Sequence, residues 1–166
     1  MDPDVSVLLE CAVWRGLAEA ETDAALESHI EEVWAKRVTR EPWLFNGSKF
    51  RLHSFTFDSS KAPMSRRGRS EAGPRLTLRL GLTSYKDFLG TNWSERAGAL
   101  RRRGETELND PCGLLAQPLG VGGVLCTSDG KVVLIRRSQR VAEAGGLLDI
   151  PGGHPEPQVR NFSRKL

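Results

Sequence analysis

The stretch Arg75-Leu76-Thr77-Leu78-Arg79-Leu80-Gly81-Leu82 carries a leucine at every second position. Side chains alternate between the two faces of a strand, so this pattern gathers the leucines on one side and predicts a half-buried β-strand over 75–82. A strand of this kind needs a partner, and residues 49–57 supply one. There Phe50, Leu52 and Ser54 alternate with Arg51, His53 and Phe55. Between the two, 58–74 is rich in Ser, Arg, Gly and Pro and reads as a flexible hairpin or loop rather than a domain linker. Upstream, Leu26, Ile30, Val33, Trp34 and Val38 recur at helical spacing, which predicts an amphipathic helix over 18–40. Glu41-Pro42 ends it, because the residue before proline disfavours the helical region, and Trp43-Leu44-Phe45 begins an aromatic turn.

Residues 83–104 read as a turn followed by a helix, capped by Thr83 or Ser84. Arg101-Arg102-Arg103 fall near the helix end, where cations suit the dipole. Leu119 to Cys126 and Lys131 to Arg137 flank Ser128-Asp129-Gly130 and predict a hairpin. A further strand, Leu147 to Ile150, runs into Pro151-Gly152-Gly153, where the glycines are expected to supply positive φ and a close backbone approach.

The 166 residues, 39% of them hydrophobic, suffice for one domain with a real core. The net charge of +3 is partly local, in Arg66-Arg67-Gly68-Arg69 and Arg101-Arg102-Arg103. Glu95, Glu105 and Glu107 dilute the second cluster, and no aromatic residues interleave with either, so these runs read as solvated surface and nucleic acid is not an expected partner. Cys11, Cys112 and Cys126 are odd in number and far apart, which argues against a disulfide framework or zinc site. No apolar run approaches the ~18 residues of a membrane span, and the N-terminus lacks the pattern of a secretory leader. A reducing intracellular compartment, cytoplasmic or nuclear, is the expected location, with no membrane partner. The oligomeric state is left open by the sequence.

The segment Leu147-Leu148-Asp149-Ile150-Pro151-Gly152-Gly153-His154-Pro155-Glu156-Pro157 resembles the opening of the Nudix box. Further segments sharpen the likeness: Pro42-Trp43-Leu44-Phe45, Lys49 to Ser54, Gly81 to Trp93, and Arg136-Arg137-Ser138 with Val141-Ala142-Glu143-Ala144. Together they resemble a divergent branch of the Nudix hydrolases that acts on UDP-glucose and UDP-galactose. The resemblance implies an α/β fold, a Nudix-like α/β/α sandwich incomplete at the C-terminus, with an N-terminal helix and β-hairpin extension. Residues 1–117 would form that extension and 118–166 the first part of the core, cut before the catalytic helix. It also implies hydrolysis of a UDP-sugar to UMP and a sugar 1-phosphate with magnesium as cofactor. The family spacing counted from Gly153 places the first catalytic glutamate at Val159, and the Arg-Glu pair would fall beyond Leu166. No residue here is therefore expected to serve as catalyst or metal ligand, and the chain is expected to be inactive or weakly active.

What remains is a substrate-binding set. Phe45 and Tyr85 have flat faces suited to a pyrimidine, although either could equally be a core or hairpin aromatic. Arg137, at a strand end, could hold a diphosphate bidentately or simply face solvent. Ala142 is small enough to let backbone approach a ligand; Asp149 could accept from sugar hydroxyls or cap a turn. His154 and Glu156 border the Pro-Gly-Gly segment and could reach the sugar or a phosphate. A non-catalytic nucleotide-sugar binding fragment and a basic interaction protein stand as the alternatives.

Overall fold

The computed structural model describes residues 20–58, 75–141 and 143–157. Asp23 opens helix α1 (Ala24–Arg40): its carboxylate accepts the Leu26 N–H at 2.8 Å and an Arg103 guanidinium N–H at 2.5 Å. A side chain that satisfies a first-turn N–H stabilises a helix by about 1 kcal/mol, and this cap fixes the start six residues later than the apolar spacing alone suggests. Leu26, His29 and Ile30 are its buried residues. At the other end the Glu41 N–H reaches Arg37 O at 3.0 Å, and the helix stops before Pro42 as expected.

Strands β1 (Ser48–Asp58) and β2 (Arg75–Ser84) pair antiparallel, from Ser48 opposite Ser84 to Asp58 opposite Arg75, with an irregularity between Leu52 and Ser54. The leucine strand behaves as its alternation predicts only in part: Leu80 is buried, whereas Leu82 is 40% exposed. In β1 the polar register inverts. Arg51 is the most buried residue of the strand, 2% exposed, and its guanidinium donates to Leu115 O at 3.0 Å and Cys112 O at 2.8 Å. A buried cation persists when carbonyls satisfy its donors, and burial lowers the Arg51 pKa. Farther along, Phe55 and Phe57 are exposed. The connecting residues 59–74, with the Arg66–Arg69 cluster, lie outside the described residues.

Ser84 caps the short helix α2 (Tyr85–Gly90), its Oγ accepting the Asp87 N–H at 3.2 Å. The turn-then-helix expected over 83–104 is thus two helices, α2 and α3 (Ala97–Leu108). Arg101–Arg103 lie inside α3 rather than near its end, because the helix continues to Leu108 and closes on Asn109 in the left-handed region at φ 53°. Its last turn has no basic residue; Arg103 instead pairs with Glu107 and Asp23. Leu26, Ile30, Leu100, Leu114 and Leu115 form the core, and Gly90 lets α2 approach α1: a Cβ there would stand 2.7 Å from Ile30 Cγ1 and 2.8 Å from Ile30 Cα.

Beyond the core, 117–119 runs beside β1, with Leu52 N–H to Gln117 O at 2.9 Å and Leu119 N–H to Phe50 O at 2.7 Å. The expected hairpin then forms as short pieces. Cys126 bridges Val132 around the Asp129-Gly130 turn, and β4 (Ile135–Arg136) pairs with β5 (Leu148–Asp149). Gly130 has φ 78°, the left-handed conformation that an Asp-Gly turn uses. Strand β3 (Val121–Gly122) pairs with β6 (Gly152–Gly153), so Gly152 and Gly153 are extended and do not supply positive φ. The close approach is present: a Cβ on Gly152 would lie 2.5 Å from Val121 O. The architecture is mixed α/β, built among the described residues from small antiparallel sheets. Val124, Leu125, Leu147 and Leu148 in this last region are each more than half exposed. No helix among the described residues is long and apolar enough to cross a membrane.

Candidate functional site

A cavity of about 300 Å³ opens between the turn before β1, the start of α2 and the loop joining β4 to β5. Four of the residues singled out in the sequence meet there: Phe45, Tyr85, Arg137 and His154. The aromatic wall is held from below. Tyr85 N–H donates to Gly47 O at 3.0 Å and Lys86 N–H to Asn46 Oδ1 at 2.9 Å, so the turn carrying Phe45 is pinned to the N-terminus of α2. Gly47 keeps that turn tight, since a Cβ on it would stand 3.2 Å from Phe45 Cε2. Phe45 is 74% exposed, an unusual state for a phenylalanine lining a concave site and one that leaves its face open to a ligand. Tyr85 packs edge-on to Trp34 at 6.5 Å and tilted against Phe88 at 6.2 Å.

The Tyr85 hydroxyl donates to Glu143 Oε1 at 2.6 Å. Burial first, then this bond and the charge of Glu143, push the phenol pKa upward, so it stays a protonated donor at any physiological pH. The bond ties α2 to the β4–β5 loop across 58 residues of chain.

Arg137 organises that loop. Its Nη1 donates to Asp149 Oδ2 at 3.0 Å and its Nη2 to Glu143 O at 3.2 Å, while the backbone pairs with Leu147 O and accepts from Gly146 N–H. Its Nε is buried and has no hydrogen-bond partner. A buried guanidinium donor without an acceptor is costly. Lys49 and Arg140 add two more cationic groups to the wall. His154 completes it; burial foremost, and the nearby Lys49 and Arg137 charges, lower its pKa and favour neutral imidazole, against an opposing pull from Glu143.

The other expected residues stand differently. Asp149 does not line the cavity; its carboxylate accepts from Arg137 and, through Oδ1, from Ile150 N–H at 2.9 Å. Glu156 is exposed and outside the cavity wall, and Ala142 lies outside the described residues. Lys49, Arg140 and Glu143 were missed. The alternation around Phe50 drew attention away from Lys49, and Glu143 sits beside Ala142 in a stretch with no periodic signal. The donor set for magnesium does not assemble here. Among the described residues no three His, Cys, Asp or Glu side chains gather as a metal site, and the acids near the cavity are engaged, Glu143 by Tyr85 and Asp149 by Arg137.

No protein-family model matches the chain. Curated proteins do. The chain is 48% identical, over an alignment of 171 positions that takes in 96% of its residues, to the bovine uridine diphosphate glucose pyrophosphatase NUDT22, of which it covers 56%. It is equally 48% identical to the human protein of that name, covering 53% of it. It is 39% identical over 135 residues to Nudix hydrolase 9 of Arabidopsis thaliana, matching 81% of this chain and 41% of that protein. The chain spans about half the length of the curated relatives it matches. Over nearly its whole length the chain is thus similar to curated proteins named as a uridine diphosphate glucose pyrophosphatase and as a Nudix hydrolase.

Proposed function

We infer that the cavity lined by Phe45, Tyr85, Arg137 and His154 binds a UDP-sugar, and that the reaction it serves is the Nudix-type cleavage of that ligand to UMP and a sugar 1-phosphate. The single observation that carries this is the Arg137 guanidinium: two of its nitrogens are spent on fixing the loop, and the third is a buried donor facing no acceptor beside an open aromatic wall. A diphosphate oxygen answers the donor, and a pyrimidine answers the exposed Phe45 ring. Lys49 and Arg140 supply the remaining compensation for a doubly charged diphosphate. The names borne by the homologues support the choice of a uridine diphosphate sugar among possible anions.

In this reading the residues divide the labour. Phe45 and Tyr85 hold the base, Arg137 with Lys49 and Arg140 holds the diphosphate, and neutral His154 donates a hydrogen bond to the ligand. Asp149 acts through Arg137 by fixing the plane of its guanidinium, and Glu156 and Ala142 remain candidates for the sugar end. The magnesium that the family resemblance implies supplies charge neutralisation at the cleaved phosphate when bound; the described residues offer it no fitting set, so their part is binding and orientation. In this reading residues 1–117 form the extension that carries the base-binding wall and Lys49, and 118–166 form the first part of what we take as a Nudix α/β/α sandwich, contributing Arg137 and Arg140 to the diphosphate.

The 166 residues hold Val159 at the first glutamate position and contain no Arg-Glu-apolar-x-Glu-Glu run. They are accordingly expected to bind without appreciable turnover. Incubating the chain with UDP-glucose and magnesium and measuring UMP tests this: release near background, together with a ligand-dependent rise in Tm, is the expected result. Turnover at the rate of a full-length homologue would overturn the impaired-catalysis part, and an unchanged Tm would overturn the binding part.

A further inference from the structure

A second cavity, of about 400 Å³, lies between α1 and the connection from α2 to α3, and it shares no lining residue with the one described above. We propose that it is a separate ligand site, for a small planar-ring monophosphate. Four cationic side chains line it, Lys36, Arg37, Arg40 and Arg96, against two carboxylates, Glu32 and Glu95. Lys36 is taken up by Glu32 at 2.5 Å and Arg37 by Glu41 at 3.0 Å. The side chains of Arg40 and Arg96 form no salt bridge among the described residues; Glu95 and Glu32 share their lining, and Glu32 feels the charge of Arg96, so the four cations against two carboxylates leave the cavity net positive. Two guanidiniums outside direct salt bridges, in a lining of net positive charge, suit one phosphate group.

His29 is the second observation. It is 8% exposed, lines the cavity, and its Nε2 is buried with no hydrogen-bond partner. An imidazole nitrogen left so is under-satisfied, and a phosphate oxygen would accept from its N–H form. Burial first, and then the charge of Arg96, lower the His29 pKa, which keeps the ring neutral and able to sit beside the arginines.

Trp93 selects the rest of the ligand. The indole is 58% exposed yet lines the cavity, and it is braced by Phe88 at 6.1 Å with the rings tilted by 33°. A braced and open aromatic face beside a phosphate locus fits a ring carried on the same molecule. The volume is that of a small-molecule site rather than of an extended peptide groove.

Phenyl phosphate, inorganic phosphate and phenol titrated into the full chain, followed by NMR at the Trp93 indole N–H and the His29 ring, provide the test. Phenyl phosphate is expected to saturate both signals, and to bind at least about tenfold more tightly than either inorganic phosphate or phenol, since each of those offers half of the contacts. The double variant Arg40→Gln/Arg96→Gln should weaken it at least about tenfold, Trp93→Leu should erase its advantage over inorganic phosphate, and Arg137→Gln should leave it unchanged. Both arginines and the indole are exposed, so neither variant threatens the fold, and each reads the site independently of the other. The proposal is overturned if the two signals do not saturate, if Tyr85 responds in their place, or if inorganic phosphate binds as well as phenyl phosphate.

Discussion

The hydroxyl of Tyr85, at the first residue of α2, donates to the Glu143 carboxylate at 2.6 Å, and the backbone carbonyl of that same Glu143 accepts from Arg137 at 3.2 Å. One residue of the β4–β5 loop therefore joins the aromatic wall of the cavity to its cationic wall. Removing only the hydroxyl, in Tyr85→Phe, should lower stability by about 1 kcal/mol, a net figure for a part-exposed hydrogen bond, and shift Tm down by several degrees. UDP-glucose affinity should fall only a few-fold, because the ring face survives; Tyr85→Ala should lose both. Paired calorimetric titrations and thermal melts separate the two outcomes.

Arg137→Lys is not a conservative change at this position. Lysine cannot address Asp149, the Glu143 carbonyl and a ligand oxygen from one planar group. Affinity for UDP-glucose should drop roughly ten- to hundredfold in both Arg137→Gln and Arg137→Lys, the size of a lost charge-assisted hydrogen bond. Asp149→Asn should cost less, since it frees the guanidinium without removing it. Rescue of binding by lysine would show that charge alone suffices.

Arg51 is a fold residue rather than a site residue. Its guanidinium holds the carbonyls of Leu115 and Cys112 from within β1, so Arg51→Ala strands two acceptors at the junction of the core and the strand. A loss of about 3 kcal/mol is expected, read as a fall in denaturant midpoint with unchanged slope. An effect within about 0.5 kcal/mol, the size of an ordinary surface change, would contradict this assignment.

Gly90→Ala should destabilise by about 1–3 kcal/mol, because the new methyl group meets Ile30 at both side chain and Cα. Shortening the neighbour in Gly90→Ala/Ile30→Val should not restore stability, since the Cα cannot yield. Thermal melts of the two variants decide it.

These predictions show what the sequence made legible. The strand over Leu76 to Leu82 and its pairing with β1 stand as read, as do the end of α1 before Pro42 and the Asp129-Gly130 turn, because each depends on neighbours close in the chain or on simple alternation, whereas which side chains the strands bury does not follow the alternation throughout. The departures all involve distant residues. Arg51 is buried because carbonyls more than 60 positions away meet its guanidinium, and α1 starts at Ala24 because Asp23 gains both a helix N–H and Arg103. Gly152 and Gly153 are extended because Val121 and Gly122 pair with them. In the cavity, the aromatic and basic residue types were readable from the resemblance, whereas Lys49, Arg140 and Glu143 enter only through the way the loops fold back.

Acid should weaken the fold through His29. Its pKa is lowered in the folded chain, so above the unfolded imidazole value of ~6.5 both states are neutral and the residue contributes nothing to pH dependence. As pH falls below that value the unfolded chain takes up a proton that the folded one refuses, and stability declines until the lowered folded pKa is passed. His29→Phe should flatten this slope between pH 6.5 and 5, roughly the window in which an unfolded histidine charges, in denaturant titrations run across that range.

The most direct measurement is isothermal titration of UDP-glucose into the 166-residue chain without magnesium, alongside the Arg137→Gln variant. The account predicts saturable one-site binding to the former and affinity reduced at least about tenfold in the latter, with the variant still melting cooperatively. Absence of saturable binding to the unaltered chain, or equal binding by a folded Arg137→Gln, would contradict it.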